Sequence, residues 1–411
     1  MKDSLGNPVT LQDPASLPPL NDFVEGVLAC EARAANVLKL ASTDGAALPQ
    51  AYGAALQLFA ESADAATHAR PFLQRAHQAV ATESNTTPRE RRFVAAIQAW
   101  AEGDLRRTCQ LLEEQVKAFP RDLVALKLGQ YHCFNLGDSE GMLRMALSAS
   151  QAAADVPYLH GMAAFGYEQC HQLEAAEQSA RRGIQMCRKE PWAHHAVAHV
   201  MLTQGRNEEG RDFMAEHADT WVGLNSFMVT HNHWHRALFA IELHDFDAAL
   251  ALYDEQVWGV VKTYSQDQVN AVSLLSRLEL RGVNVGGRWQ ELAPYLAVRA
   301  HDQVSPFLNL HYLYGLARAG LPQAAVLLQH MEQHARAVAG TYPAWLQVAL
   351  PAAHGIMAHL QHDRARAARQ LGLALPRLAE IGGSHAQRDW FAQICQANSV
   401  PSSIPVSSSR P

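Results

Sequence analysis

The sequence predicts an all-α protein built as a helical-hairpin solenoid, an α-α superhelix with room to close around a central pocket. Three observations carry that prediction. Small residues recur thirty-four positions apart, at Ala164 and Ala198 and again at Ala176 and Gly210, and the same step reaches back to Thr108 and Met142. Seven short turn segments follow the same rhythm. Between them lie amphipathic stretches of helical length.

In chain order, Met1 to Asn21 is a polar, proline-bearing segment, and residues 22–88 form further amphipathic helices without a clear register, a divergent cap. Thr87 before Pro88 reads as a helix N-cap followed by proline at the first helical position. The repeat array spans 89–398. Its turns begin at Gly103, Gly137, His171, Gly205, His244, Gly320 and His362, each expected to join the two helices of one unit. Five residues beyond each turn's first residue stand Thr108, Met142, Ala176, Gly210, Ala249, Ala325 and Ala367, mostly small, as close packing of the second helix on the first demands. Position 8 of the unit falls on Ala96, Gln130, Ala164, Ala198, Ala237, Leu313 and Gly355. Small residues at positions 8 and 20 of a thirty-four-residue helix-turn-helix make the tetratricopeptide pattern, whose hairpins bury their apolar faces only by stacking on neighbours. The spacing stretches to thirty-nine before Ala249 and to seventy-six before Ala325, which predicts an irregular unit over residues 264–296 with its turn at Arg281–Gly287. Those glycines lack the strand-and-helix context of a phosphate loop. Residues 399–411, rich in serine and proline, read as a disordered tail.

Composition narrows the functional classes. The formal net charge is −6, from 34 basic and 40 acidic residues, and no basic stripe exists, which argues against a nucleic-acid partner. No apolar window is long enough for a membrane helix. The start of the chain lacks the basic-then-apolar order of a secretory signal. Six scattered cysteines without a C-x-x-C pair suit reduced, mostly buried thiols. Together these predict a soluble, cytoplasmic protein.

The richest chemistry lies in Trp192-Ala-His194-His195-Ala-Val-Ala-His199 and His231-Asn-His233-Trp234-His235. In such a unit, positions 2, 5, 9, 12 and 13 of the first helix share one arc and face the concave groove. They are Tyr158, Gly161, Phe165, Glu168 and Gln169 in the third clear unit, and Trp192, His195, His199, Leu202 and Thr203 in the fourth. The fifth supplies His231, Trp234, Leu238, Ile241 and Glu242. His195 with His199, and His231 with His235, are i, i+4 pairs that place two imidazoles on one helix face. First helices of adjacent units approach within about 8–10 Å, so His195, His199 and His231 are candidate ligands of a divalent metal, with Glu168 or Glu242 as an oxygen ligand or general base. His235, at position 6, stands at the edge of the arc. The same three histidines suit metal-free ligand binding first, since no motif-grade glutamate accompanies them, and also structural hydrogen bonding. His160, His194 and His233, at position 4, point the other way and read as packing residues.

The aromatic residues allow two uses. Tyr131, Tyr158, Phe165, Trp192 and Trp234 can stack on an apolar ligand or seal the seam between repeats. A groove that clamps a peptide carboxylate would carry several cations at positions 2, 5 and 9, whereas Lys127 stands alone there. Ser226 and Ser265 fall in expected loops without a nucleophile-elbow setting, and Cys170 precedes a turn on the outer side, so serine or cysteine catalysis has no support.

Several segments in combination resemble the tetratricopeptide repeat protein 38 family. They include Asp3-Ser-Leu-Gly-Asn-Pro-Val-Thr10, Pro120-Arg-Asp122-Leu-Val-Ala-Leu126, Gly161-Met-Ala-Ala-Phe165-Gly166, Trp192 to Val200 and Asn232-His-Trp234-His235-Arg-Ala-Leu238. Leu252-Tyr253-Asp254, Ser273 to Leu278, Val285 to Trp289 and Phe307-Leu-Asn309-Leu-His311 continue the likeness over nearly the whole chain. The resemblance implies roles for Trp192, His195, His199, Asn232, Trp234, His235, Asp254, Arg277, Arg288, Trp289 and His311, and it implies no particular reaction. Gln130-Tyr131 and Asn309 depart from the family's pattern of a His-Asp pair and an aspartate.

Two functions are therefore expected as alternatives. One is a scaffold that holds a small organic molecule or a partner segment in the concave groove, with Tyr131, Phe165, Glu168, Trp192, His231, Trp234 and His311 as binding residues; homodimerisation stays open. The other is an enzyme in which His195, His199, His235 and Glu242 perform acid-base or metal-assisted hydrolytic chemistry.

Overall fold

A computed structural model describes residues 1–399. Among these residues there are twenty-one α-helices and no strand. The N-terminal part holds α1 (Leu17–Leu28), α2 (Val37–Thr43), α3 (Ala47–Leu58) and α4 (Ala65–Thr82). Four regular hairpins follow: α5 (Pro88–Ala101) with α6 (Leu105–Ala118), α7 (Leu123–Asn135) with α8 (Ser139–Ala149), α9 (Pro157–Gln169) with α10 (Leu173–Met186), and α11 (Pro191–Thr203) with α12 (Asn207–His217). A longer hairpin pairs α13 (Ser226–Glu242) with α14 (Phe246–Leu252), which runs on into a π-helical turn. The irregular unit predicted over residues 264–296 is α15 (Ser265–Leu280) with α16 (Arg288–Ala297). The array ends with α17 (Pro306–Arg318), α18 (Gln323–Ala337), α19 (Leu350–Leu360), α20 (Arg364–Ala374) and α21 (His385–Ser399).

Helix boundaries follow local chemistry. Thr87 caps α5 in a full capping box with Glu90. The first residue of all seven predicted turns adopts positive φ, whether glycine (Gly103, Gly137, Gly205, Gly320) or histidine (His171, His244, His362). That left-handed residue ends the first helix of each unit. Asp104, Asp138, Asp245 and Asp363 come next and cap the second helix with their side chains. Ala176, Ala249 and Ala367 are wholly buried where the two helices meet. At Gly210 a methyl group would fall 2.2 Å from the Phe239 ring. One unit departs from the expected register: Ala325 is exposed, and Ala324 takes the buried position, because Pro322 delays the start of α18. Ser226 and Ser265 are also not in loops but open α13 and α15.

The N-terminal polar segment is tied down. Buried Asp3 lies 3.6 Å from the Arg89 guanidinium, which also pairs with buried Asp122 at 3.1 Å. Burial and the two flanking carboxylates keep this cation fixed at the start of α5. Helix α1 begins at Leu17, ahead of the expected boundary near residue 21. The predicted tail lies, but for Ser399, outside the described residues.

The two ends of the array meet. Tyr342 donates its hydroxyl to Asn135 O and Glu380 O, Ala63 N donates to Asp302, and a ring nitrogen of His385 lies 3.2 Å from Gln169 O. Closer to the N-terminus, Asn225 N donates to Cys30 O at 2.6 Å, and Glu31 pairs with Leu224 in an isolated β-bridge. These contacts span up to 239 residues of sequence and bring distant parts of the array around a common cavity.

Candidate functional site: a four-histidine cluster at an apolar cavity

The site stands on α11 and α13, neighbouring first helices. Glu190 caps α11 by accepting the backbone N–H groups of Trp192 and Ala193, and Pro191 fixes the first helical position. Asn225 caps α13 through Met228 N. The i, i+4 spacing on each helix then sets four imidazoles in a two-by-two grid. His195, His199, His231 and His235 are all buried, and one ring nitrogen from each lies within 4.8 Å of every other. His195 Nε2 is 3.1 Å from His199 Nε2 and 3.2 Å from His231 Nε2. The His235 ring closes the grid, with its centroid 4.5 Å from that of His199 and 5.0 Å from that of His231. His235 thus belongs at the centre of the cluster, not at its edge.

Surrounding groups hold the rings. Trp192 stacks on His195 at 4.5 Å, and Trp234 stacks on His231 at 5.2 Å with the planes 8° apart. Asn270 Oδ1 lies 2.9 Å from His231 Nδ1. Buried Glu168 places Oε1 3.6 Å from His199 Nδ1, and its other oxygen accepts from Gln169 Nε2. Burial opposes ionisation of Glu168, yet the nearby imidazoles of His199 and His385 outweigh it and hold the carboxyl below its ordinary range. Burial drives the imidazoles toward the neutral form, His231 down to about 3 and His195 and His235 well below the ordinary histidine value. Both ring nitrogens of His235 lack a hydrogen-bond partner, as do Nδ1 of His195 and of His199.

This grid contains an unresolved conflict. A neutral imidazole nitrogen carries either one proton or one lone pair, never both. His195 Nε2 therefore hydrogen-bonds one of its two Nε2 neighbours at most, while the other approach remains unsatisfied in a buried place. A cation at the focus would take every lone pair at once. With metal–nitrogen bonds of about 2.0–2.1 Å, two nitrogens 3.1–3.2 Å apart, as at His195, His199 and His231, can share one ion, and the four ring nitrogens all lie within 4.8 Å of one another.

His195 and His231 form part of the wall of a cavity of about 670 Å³, while His199 and His235 lie behind them. Tyr131, Phe165 and Trp192 line the cavity as the sequence suggests, joined by Phe59, Phe134 and Phe227. Other expected residues do not line it. Glu168 and Trp234 stand behind the imidazoles. Glu242 is exposed at the end of α13 and pairs with Arg281 at 2.8 Å, so it cannot act as base or ligand here. His311 is buried elsewhere, its ring tilted against Trp390 at 4.5 Å and its Nδ1 2.8 Å from Phe307 O. Of the residues implied by resemblance, Arg288 and Asp254 pair with each other away from the cluster, and Arg277 packs over Trp234 while donating to Ala386 O. Buried Asn232 leaves both amide atoms unpartnered.

The packing assignments hold for His194 and His233, which are buried, and not for His160. Trp221 donates its indole N–H to His194 Nδ1 and packs edge-on against His233, and His160 lies half-buried near Ala154 O. Sequence reasoning missed Glu61 and Asn270. Glu61 accepts from Tyr131, Ser265 and Gln266 at the cavity wall. It comes from the N-terminal helices, where no repeat register signals a groove.

No model of a known protein family matches the chain. No described helix is long and apolar enough to cross a membrane.

Proposed function

We propose that the chain is a metal-assisted enzyme acting on a small organic molecule held in the cavity, with His195, His199, His231 and His235 as the metal ligands. The observation that carries this reading is the crowding of Nε2 atoms around His195, which hydrogen bonding among neutral imidazoles cannot satisfy. A ligand set of imidazoles alone suits zinc, copper, iron or nickel and does not suit magnesium or calcium. Asn270 supplies the outer hydrogen bond that such ligands use for orientation, at His231 Nδ1, and the Glu168 carboxylate stands 3.6 Å from His199 Nδ1. When bound, the metal would supply Lewis-acid polarisation of a substrate oxygen or activation of water. The protein's own residues do the rest. Phe165, Trp192 and Phe227 enclose the molecule and exclude water, and the two lining histidines face it.

The apolar wall also favours a second reading, a metal-free binder of the same class of molecule. Elemental analysis of purified protein, with and without incubation in zinc, iron(II), copper(II) and nickel(II), separates the two. Stoichiometric metal that is lost in the His195→Ala, His199→Ala double variant supports the enzyme. Failure of the wild type to carry or take up any of these metals overturns it. Membership of the tetratricopeptide repeat protein 38 family is part of the same proposal, as is a reducing, cytoplasmic setting in keeping with six free cysteines.

A further inference from the structure

The charges around the cavity are unequal in their freedom. Two cationic side chains line it, Lys127 and Arg299. Arg299 is committed, donating to Asp302, Gln268 and Thr263 O. The lining carboxylate, Glu61, is likewise saturated by the Tyr131 and Ser265 hydroxyls and the Gln266 amide. Lys127, on α7, is different. Its ammonium donates to Leu28 O and Cys30 Sγ, both at 3.1 Å, which uses two of its three N–H groups. Among the described residues no carboxylate stands within 4.0 Å of it. Burial keeps the Cys30 thiol protonated. The acid that shares its surroundings, Glu190, is turned onto the N-terminus of α11, and burial pushes its carboxyl up to about 8.

An ammonium held at an apolar wall without a counter-ion calls for an anion from outside. Its position adds a direction. Lys127 Nζ stands 5.4 Å from the centre of the Trp192 ring, and the His195 ring lies 4.5 Å from the same indole. These two contacts bound the distance from the ammonium to the His195 ring at about 10 Å. We infer that the cavity takes an aromatic or otherwise apolar carboxylate, with its carboxylate on Lys127 and its body along Trp192 and Phe165, so that atoms a few bonds from the anion meet the His195–His231 face. This rests on the small-molecule reading of the cavity and not on the metal.

The test uses full-length protein and the uncharged fluorescent probe N-phenyl-1-naphthylamine, displaced by 1-naphthylacetate or by its neutral amide, 1-naphthaleneacetamide. Wild-type protein should bind the probe and prefer the acid over the amide by about tenfold or more, the range of a charge-assisted hydrogen bond. Lys127→Met should still bind the probe but lose that preference, and Lys127→Arg should keep it. Equal displacement by acid and amide in the wild type, or an undiminished preference in Lys127→Met, overturns the inference. Absence of binding by probe, acid and amide alike overturns the cavity reading itself and this inference with it. The His195→Ala, His199→Ala variant should retain the preference for the acid, which distinguishes anion recognition from any role of a metal.

Discussion

Glu190 offers a sharp test of the electrostatics that position α11. Its side chain is fully buried, accepts two backbone N–H groups at the helix start, and is pushed up to about 8 by burial, against an ordinary value of 4.5. The folded protein therefore retains a proton that the unfolded chain releases above 4.5. A raised folded value means that this contribution to stability is complete below pH 4.5 and is lost as pH rises through about 8. Between those limits one proton separates the two states, so stability should fall by about 1.4 kcal/mol per pH unit. Glu190→Gln removes the titration and keeps one of the two acceptor oxygens, so one of the Trp192 and Ala193 N–H groups loses its partner, a cost that does not vary with pH. Urea unfolding followed by circular dichroism at pH 6, 7 and 8 should show the variant gaining on the wild type by about 1 kcal/mol at each step. Groups common to both proteins cancel in that difference. Parallel curves from pH 6 to 8 would refute the burial argument, because an ionised Glu190 would then be satisfied by the helix N-terminus and Lys127 alone.

Two further outcomes follow from the packing. His231 titrates at about 3 in the fold, and His195 and His235 also lie well below their ordinary value, so their contribution is present above pH 6.5 and is lost as pH falls toward 3. The melting temperature of the metal-free protein should therefore drop between pH 6.5 and 4.5, and drop less in His231→Gln, His235→Gln; a flat profile in the wild type contradicts the neutral cluster. Gly210→Ala, which drives a methyl group to 2.2 Å from the Phe239 ring, should cost about 1–3 kcal/mol. Gly205→Ala meets no atom within 4 Å and pays only for a φ of 68°, about 1–2 kcal/mol. Denaturation showing Gly205→Ala to be the more damaging of the two would refute this packing argument.

How far the sequence could be read depended on whether a feature repeats. The turns were legible because every unit needs a left-handed residue to end its first helix, and all seven predicted positions have one. The close-packing positions were legible wherever the turn is regular, and failed at Ala325, where Pro322 shifts the helix start. Glu242 was misplaced as well. Glu242 is the last residue of α13, as Thr203 is of α11, and at that end of the helix the side chain is exposed and pairs with Arg281. Glu61, by contrast, had no periodic signature at all. Its contact with Ser265 joins residues 204 positions apart, and only closure of the array puts them together.

The four-histidine cluster shows what a repeat does to local sequence. A pair at i, i+4 puts two imidazoles on one face of one helix, an arrangement that alone can offer a metal only two ligands. Stacking a second unit carries the pattern sideways: His231 comes beside His195 and His235 beside His199, both thirty-six residues on. Lateral packing thus turns two linear pairs into a three-dimensional coordination set without a loop or a separate motif. Burial adds to it, since the packing that brings the rings together also strips their water and favours the neutral form of His195, His231 and His235, the state in which imidazole binds a metal. The same packing leaves His195 Nε2 facing two nitrogens it cannot satisfy together. Within a core where Ala196, Ala198 and Ala237 permit such close approach, that conflict has a local remedy, because a single ion accepts what protons cannot share.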